Sequence, residues 1–245
     1  MITKERKYGL IGYPLGHSFS AGYFSKKFDN LGLNATYSNY EIEDLSDLPA
    51  IFESGVIGLN VTSPHKENVI AHLDALSPTA KAIGAVNTIV NNNGNLIGYN
   101  SDMYGFQTSL LAKMAQANWQ GTKALVLGTG GAASAVAWVL RKMQISPVFV
   151  SRSGGDMLYN QLTEEIVHSH NLIINATPLG MHPHESRMPE IPMAGLSEKH
   201  IVYDLIYNPE KTLFLTESEN RGATILNGSE MLILQAEKSW SIWNT

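Results

Sequence analysis

The sequence predicts an α/β fold, and two observations carry that prediction. Along 245 residues, short apolar runs of strand length alternate with stretches of helical periodicity. The second observation is the stretch 123–140, Lys-Ala-Leu-Val-Leu-Gly-Thr-Gly-Gly-Ala-Ala-Ser-Ala-Val-Ala-Trp-Val-Leu. Its apolar run at 124–127 is long enough for one buried strand, and Gly128, Gly130 and Ala133 follow at the spacing G-x-G-x-x-A. Val136, Val139 and Leu140 then recur at helical spacing. Strand, tight glycine turn and helix together form the dinucleotide fingerprint of a Rossmann-type unit. The first glycine permits the sharp turn and the second lets backbone approach a pyrophosphate. The small third residue lets helix and strand pack closely, while the helix N-terminus turns unpaired N–H groups toward the phosphates.

Composition narrows the class. Apolar residues make up 44% and charged residues 16%, the balance of a globular chain able to bury a core in one large domain or two modest ones. A net charge of −5 without a basic stripe argues against nucleic acid as a partner. The absence of cysteine excludes disulfides and thiolate zinc sites and suits a reducing compartment. The N-terminal stretch lacks an apolar h-region, and no apolar run reaches membrane-spanning length, so a soluble, cytoplasmic protein is expected.

In chain order, residues 8–12 read as a first strand, ended by the loop residues Pro14 and Gly16. Ser18 and Ser20 stand where helix N-caps belong, ahead of a helix with Tyr23, Phe24, Phe28 and Leu31 on its apolar side. Two such hydroxyls at a helix N-terminus could equally grip an anion. Residues 36–41 read as a strand, 44–54 as a short helix and 56–61 as a third strand. Pro64 suits the first turn of a helix running toward Leu76. Asn60, Thr62 and Lys66 would then converge at the C-terminal edge of a strand, where open α/β sheets bind ligands.

Residues 82–90 and 96–99 read as strands joined by a polar turn, with Asn87 inside the first of them. A buried Asn there needs partners or costs on the order of 1–3 kcal/mol. Asp102 is placed to cap a helix over about 103–114. After the glycine-rich unit, 147–150 is a strand ending in Ser151-Arg152-Ser153. The fingerprint's acid, which holds the ribose 2′-hydroxyl of NAD, has no counterpart there; a guanidinium and two hydroxyls suit the 2′-phosphate of NADP. Strands are read at 172–175, 200–205 and 224–226, with helices through Glu219 and from about Ser229. Trp240 and Trp243 read as packing or dimer surface, and the pairs His168/His170 and His182/His184 as loop histidines, with no metal site.

Several stretches then fall in a specific order: Gly12-Tyr13-Pro14 with Ser18-x-Ser20, Asn60-Val61-Thr62-x-Pro64-x-Lys66, Gly84-Ala85-Val86-Asn87-Thr88 and Gly98-Tyr99-Asn100-Ser101-Asp102. The 128–132 turn, Asn175-Ala176-Thr177-Pro178, Asp204-Leu205-Ile206-Tyr207-Asn208-Pro209 and Met231-Leu232-Ile233-x-Gln235-Ala236 complete the set. With these motifs the chain resembles the shikimate dehydrogenase family over nearly its whole length. The resemblance implies a substrate-binding α/β domain at 1–101, completed by the final helix at about 227–245. It implies an NADP-binding Rossmann-like domain at 102–226 with a shortened second half, and an active site in the cleft between the two.

Carried over to this chain, the resemblance makes Lys66 and Asp102 the catalytic pair. Ser18 and Ser20 would hold the substrate carboxylate, and Thr62, Asn87, Asp102, Tyr207 and Gln235 the rest of the substrate. The NADP site would comprise Gly128, Thr129, Gly130, Gly131, Ala132, Ser151, Arg152, Ser153, Thr177, Leu205 and Gly228. The implied reaction is the reversible reduction of 3-dehydroshikimate to shikimate, on the route to chorismate and the aromatic amino acids, by a monomer or homodimer. Three departures stand out: Ser151 where the family carries Asn, Met103 and Glu230 where it carries Gly, and a short segment between Gly154 and Leu172. The alternatives are an NAD-dependent quinate/shikimate dehydrogenase, or a cofactor-binding regulatory module that keeps the fold with little turnover.

Overall fold

The structure, a computed structural model, describes residues 5–16, 19–113 and 121–245. The chain divides into two compact units, 1–101 with 236–245, and 102–235, so that the division falls inside the last helix.

The first unit begins with β1 (Arg6–Gly12), α1 (Phe19–Asn30), β2 (Ala35–Glu41), α2 (Leu48–Glu53) and β3 (Val56–Val61). It continues through β4 (Ala75–Leu76), α3 (Pro78–Ile83), β5 (Thr88–Asn92) and β6 (Asn95–Tyr99). One six-stranded sheet runs β2-β1-β3-β5-β6-β4. Its β2-β1-β3 half is parallel, and the β5–β6 hairpin is antiparallel to β3 and within itself.

Two predicted elements are corrected here. The stretch 64–76 is a turn, a 3-10 segment at Asn68–His72 and the short β4, not a helix started by Pro64. Its polar groups are taken by other parts of the unit: the Lys66 carbonyl accepts from Val86 N at 2.8 Å, and the His65 ring bonds the Ile42 carbonyl at 2.8 Å. A continuous helix would have to surrender both. The run 82–90 likewise is not one strand. Ser77 caps Ala80 N, Pro78 opens α3, and Gly84 ends it in the left-handed region at φ 76, so the strand starts only at Thr88.

The second unit holds α4 (Asp102–Lys113), β7 (Lys123–Leu127), α5 (Gly131–Lys142), β8 (Ser146–Ser151), β9 (Met157–Leu158) and α6 (Glu164–His168). Then come β10 (Leu172–Asn175), β11 (Ile201–Asp204), α7 (Leu213–Glu219), β12 (Thr224–Leu226) and α8 (Ser229–Trp243), whose last turns belong to the first unit. The sheet order is β12-β11-β10-β7-β8-β9, with every pairing parallel. Its central strands are fully buried runs covered on both faces, as a parallel sheet requires. Between β8 and β10 the chain carries only the two-residue β9, one 3-10 turn and the five-residue α6. Among the described residues, no helix is long and apolar enough to cross a membrane.

Trp240 and Trp243 sit inside the first unit. They close an aromatic cluster with Tyr8, Phe24 and Phe28, and the Trp243 indole N–H donates to Ile89 O at 3.0 Å. Gly58 on β3 makes room for that ring: a Cβ there would come within 2.5 Å of the indole. Gly58→Ala should therefore destabilise the protein by about 1–3 kcal/mol in urea unfolding. Gly22→Ala, inside α1 with open space around it, should instead stabilise by about 0.5–1 kcal/mol.

Candidate active site

In the first unit the site residues stand at the C-terminal ends of β1 and β3 and at the exit of the β5–β6 hairpin. Thr62 N donates to Ile11 O at 2.9 Å, and His65 N closes a turn onto Thr62 O at 3.0 Å. Gly12 permits this approach, since a Cβ there would lie 2.4 Å from the Thr62 methyl. Because the bond between His65 Nε2 and Ile42 ends on a carbonyl, that nitrogen carries the proton. Lys66, next along, has its carbonyl tied to Val86. The main chain carrying Thr62 and Lys66 is thus held from both sides, while the two side chains remain half-buried.

Asn87 is almost wholly buried, and its partners are now visible. Its Oδ1 accepts the Ser101 backbone N–H at 2.6 Å and the Thr88 hydroxyl at 3.2 Å, and its Nδ2 donates to Ser101 Oγ at 2.9 Å. A backbone N–H can only donate, so the amide orientation is fixed. Asp102 follows Ser101 directly and opens α4 as a buried carboxylate. Asn60 joins the same network through Nδ2 to Asn87 O at 3.2 Å, and its Oδ1 accepts from Tyr37 at 2.9 Å. Ser20, in the first turn of α1, donates in turn to Tyr37, whose phenol is held protonated by burial. Ser18 lies outside the described residues.

In the second unit the glycine turn has the geometry the fingerprint needs. Gly128 takes φ 109, its N–H donates to Val150 O at 2.8 Å, and a Cβ would press on Ala176 and Thr177 at 3.1–3.3 Å. Gly130 caps α5 in an extended conformation without a side-chain cap, Thr129 beside it is exposed, and Gly131 and Ala132 form the first turn. Ala133 is fully buried against the sheet. These features fit a pyrophosphate, which would approach backbone N–H groups unobstructed by side chains.

At the end of β8, Ser151 Oγ donates to Ser153 O at 2.7 Å and accepts from Ser153 N at 3.1 Å. Its hydroxyl therefore shapes the turn, and Arg152 and Ser153 are the side chains the turn exposes. Leu205 and Gly228 come together: Gly228 N donates to Ile206 O at 2.9 Å, and a Cβ on Gly228 would lie 2.0 Å from Leu205 O. Gln235 donates to Leu232 O within α8, and burial raises the Tyr207 phenol above its ordinary value. Glu230, exposed in the first turn of α8, lines an open groove of about 520 Å³ with Ser109, Lys113, Tyr203, Lys211 and Asn227. Met103 packs on the core of the unit.

Residues without a sequence-derived role hold these turns. Asn175 and Asp204, register partners on β10 and β11, each accept the backbone N–H two residues on, from Thr177 and Ile206 at 3.0 and 3.1 Å. Asn175 Nδ2 also donates to Asp204 Oδ1 at 3.0 Å, and the Thr212 hydroxyl donates to Asp204 Oδ2 at 2.7 Å. The signal for them was a polar residue ending an otherwise buried apolar strand. Among the described residues, no three His, Asp or Glu side chains gather as a metal site.

A parallel sheet with a glycine turn after a central strand, joined to a second mixed-sheet unit, defines a two-unit α/β protein with a Rossmann-like half. Residues 10–89 match the family model for the shikimate dehydrogenase substrate binding domain. The chain is 38% identical to the shikimate dehydrogenase (NADP(+)) of Desulforamulus reducens, over 98% of this chain and 90% of that one. It superposes on shikimate dehydrogenase from Aquifex aeolicus with a TM-score of 0.87 at 32% identity, covering 100% and 94% of the two chains. For the Thermus thermophilus enzyme in complex with NADP(H) and shikimate, the TM-score is 0.84 at 31% identity, over 97% and 93%. The chain belongs to the shikimate dehydrogenase family.

Burial lifts Asp204 to about 6, against 3.8 for a free carboxyl, despite the three hydrogen bonds it accepts. Between these values the folded state keeps a proton that the unfolded chain has lost. Stability from this group is therefore greatest below pH 3.8 and declines as pH rises to about 6. Wild type should lose roughly 2 kcal/mol of unfolding free energy relative to Asp204→Asn between about pH 4 and pH 7. Paired urea titrations across that range measure the difference, and a pH-independent gap would contradict the assignment.

Proposed function

We propose that this chain is an NADP-dependent shikimate dehydrogenase, catalysing the reversible reduction of 3-dehydroshikimate to shikimate in the cytoplasm on the route to aromatic amino acids. The observation that carries this reading is the pairing of family membership with two anchored main-chain segments. One carries Lys66, and the other, bolted by Asn87 to Ser101, carries Asp102.

Reduction of the ring ketone needs a hydride at carbon and a proton at oxygen. NADPH, when bound, supplies the hydride. The Lys66 ammonium stabilises the alkoxide developing on the ketone oxygen and gives it the proton; in the oxidation direction its amine takes that proton back. Asp102 orients the ammonium and accepts a hydrogen bond from the substrate hydroxyl. Ser18 and Ser20 bind the carboxylate, and Thr62, Asn87, Tyr207 and Gln235 hold the ring. Arg152, aided by Ser153, bonds the 2′-phosphate, and Gly128, Thr129, Gly130, Gly131, Ala132, Thr177, Leu205 and Gly228 line the rest of the cofactor site. Ser151 serves that site by shaping the turn that presents Arg152.

A steady-state assay with shikimate or quinate and each nicotinamide cofactor tests the proposal. Shikimate with NADP+ should be the preferred pair, and a chain that binds NADPH but shows no shikimate-dependent reduction of NADP+ would overturn the reading. Lys66→Ala should lower kcat by about 10²–10⁴ with an unchanged melting temperature. Arg152→Ala should raise KM for NADP+ by roughly tenfold or more and leave KM for shikimate nearly unmoved.

A further inference from the structure

Ser239 lies on the last turns of α8, among the residues that return to the first unit, and is fully buried. Its Oγ stands 2.8 Å from Thr88 Oγ1 and 3.0 Å from Ser101 Oγ, and it accepts from Asn60 Nδ2 at 2.9 Å. Thr88 and Ser101 are themselves 3.3 Å apart and equally buried, so three hydroxyls from β5, the β6–α4 junction and α8 form one closed cluster.

One direction of donation is fixed, that of Asn60. Asn60 Oδ1 accepts from Tyr37, so its Nδ2 points inward with protons for Asn87 O and Ser239 Oγ. Ser239 Oγ therefore accepts from Asn60, and in its contacts with Thr88 and Ser101 either hydroxyl can donate. The Thr88 hydroxyl stands within donating distance of Asn87 Oδ1, at 3.2 Å, and of Ser101 Oγ, at 3.3 Å, while Asn87 Oδ1 also accepts the Ser101 backbone N–H. Removing the Ser239 hydroxyl leaves Asn60 Nδ2 without that acceptor and breaks the tie between α8 and the two groups that grip Asn87. The site is sealed, so bulk water does not replace it.

We infer that Ser239 is a positioning residue for substrate recognition: through Thr88 and Ser101 it fixes the Asn87 carboxamide, and so sets affinity for the substrate ring from the C-terminal helix. The inference rests on the proposed role of Asn87 in holding shikimate. A group that binds substrate and transition state alike affects KM rather than kcat. Ser239→Ala should accordingly raise KM for shikimate roughly five- to twentyfold, with kcat and KM for NADP+ nearly unchanged.

The decisive measurement is the double-mutant cycle with Asn87→Ala. In that background Ser239→Ala should add little or nothing to KM, because the group through which it acts is gone. Ser239→Thr, which keeps the hydroxyl, should recover most of the wild-type KM. Thr88→Val, which deletes another member of the cluster at constant shape, serves as a second variant should Ser239→Ala fold poorly. It should raise KM for shikimate in the same selective way. Wild-type turnover of shikimate is the control for the functional reading. With it in place, an unchanged KM in the two hydroxyl-deletion variants, or additive effects in the cycle, would overturn the positioning role alone.

Discussion

The hydrogen bond from Ser101 N–H to the Asn87 carboxamide is the constraint on which the site depends. It joins the start of β5 to the residue after which α4 begins, and so settles where the chain leaves one unit for the next. Asp102 inherits its backbone position from that bond by covalent adjacency. The same carboxamide is gripped by Thr88, and its own main chain pairs on both sides, with Val61 N donating to Asn87 O and Asn87 N donating to Tyr99 O. A side chain so committed is oriented before any ligand arrives, which removes an ordering cost from binding.

The second unit uses the same device on neighbouring strands. Asn175 and Asp204 end β10 and β11 in register, and each folds the chain back by accepting an N–H two residues on. Thr177 and Leu205, both proposed for the cofactor site, ride on those turns. The cost is a buried carboxylate whose protonation is pushed toward neutrality, a strain concentrated where open α/β sheets place their ligands. Gly228 belongs to the same corner, because only a residue without Cβ lets α8 start against Leu205 O.

Much of this was legible in the sequence where the determinants are local. The strands at Val56–Val61, Leu172–Asn175 and Thr224–Leu226 begin and end where their apolar runs do, and the glycine turn at 128–131 adopts the form its spacing implies. Misreadings arose where a local signal competed with a tertiary one. Pro64 marks a turn whose Lys66 carbonyl and His65 ring nitrogen are bonded to Val86 and Ile42, residues distant in sequence, and the apolar run at 82–90 hid the Ser77, Pro78 and Gly84 signals of a short helix. The polar residues assigned by motif were visible as types, but not their partners. Ser239 and Tyr37 carry no motif, since their roles exist only where α8 and β2 bring them to Asn60. Ser151 shows the converse: its residue type was legible, but the bonds its hydroxyl makes inside its own turn were not.

The most direct test is a crystal structure of the protein with shikimate and NADP+ bound. Lys66 Nζ and an Asp102 carboxylate oxygen should both lie within about 3.2 Å of one ring hydroxyl, with Asn87 still accepting from Ser101 N–H. A complex in which that hydroxyl meets neither side chain, or in which Asn87 has turned away from Ser101 to reach the ligand, would contradict the account.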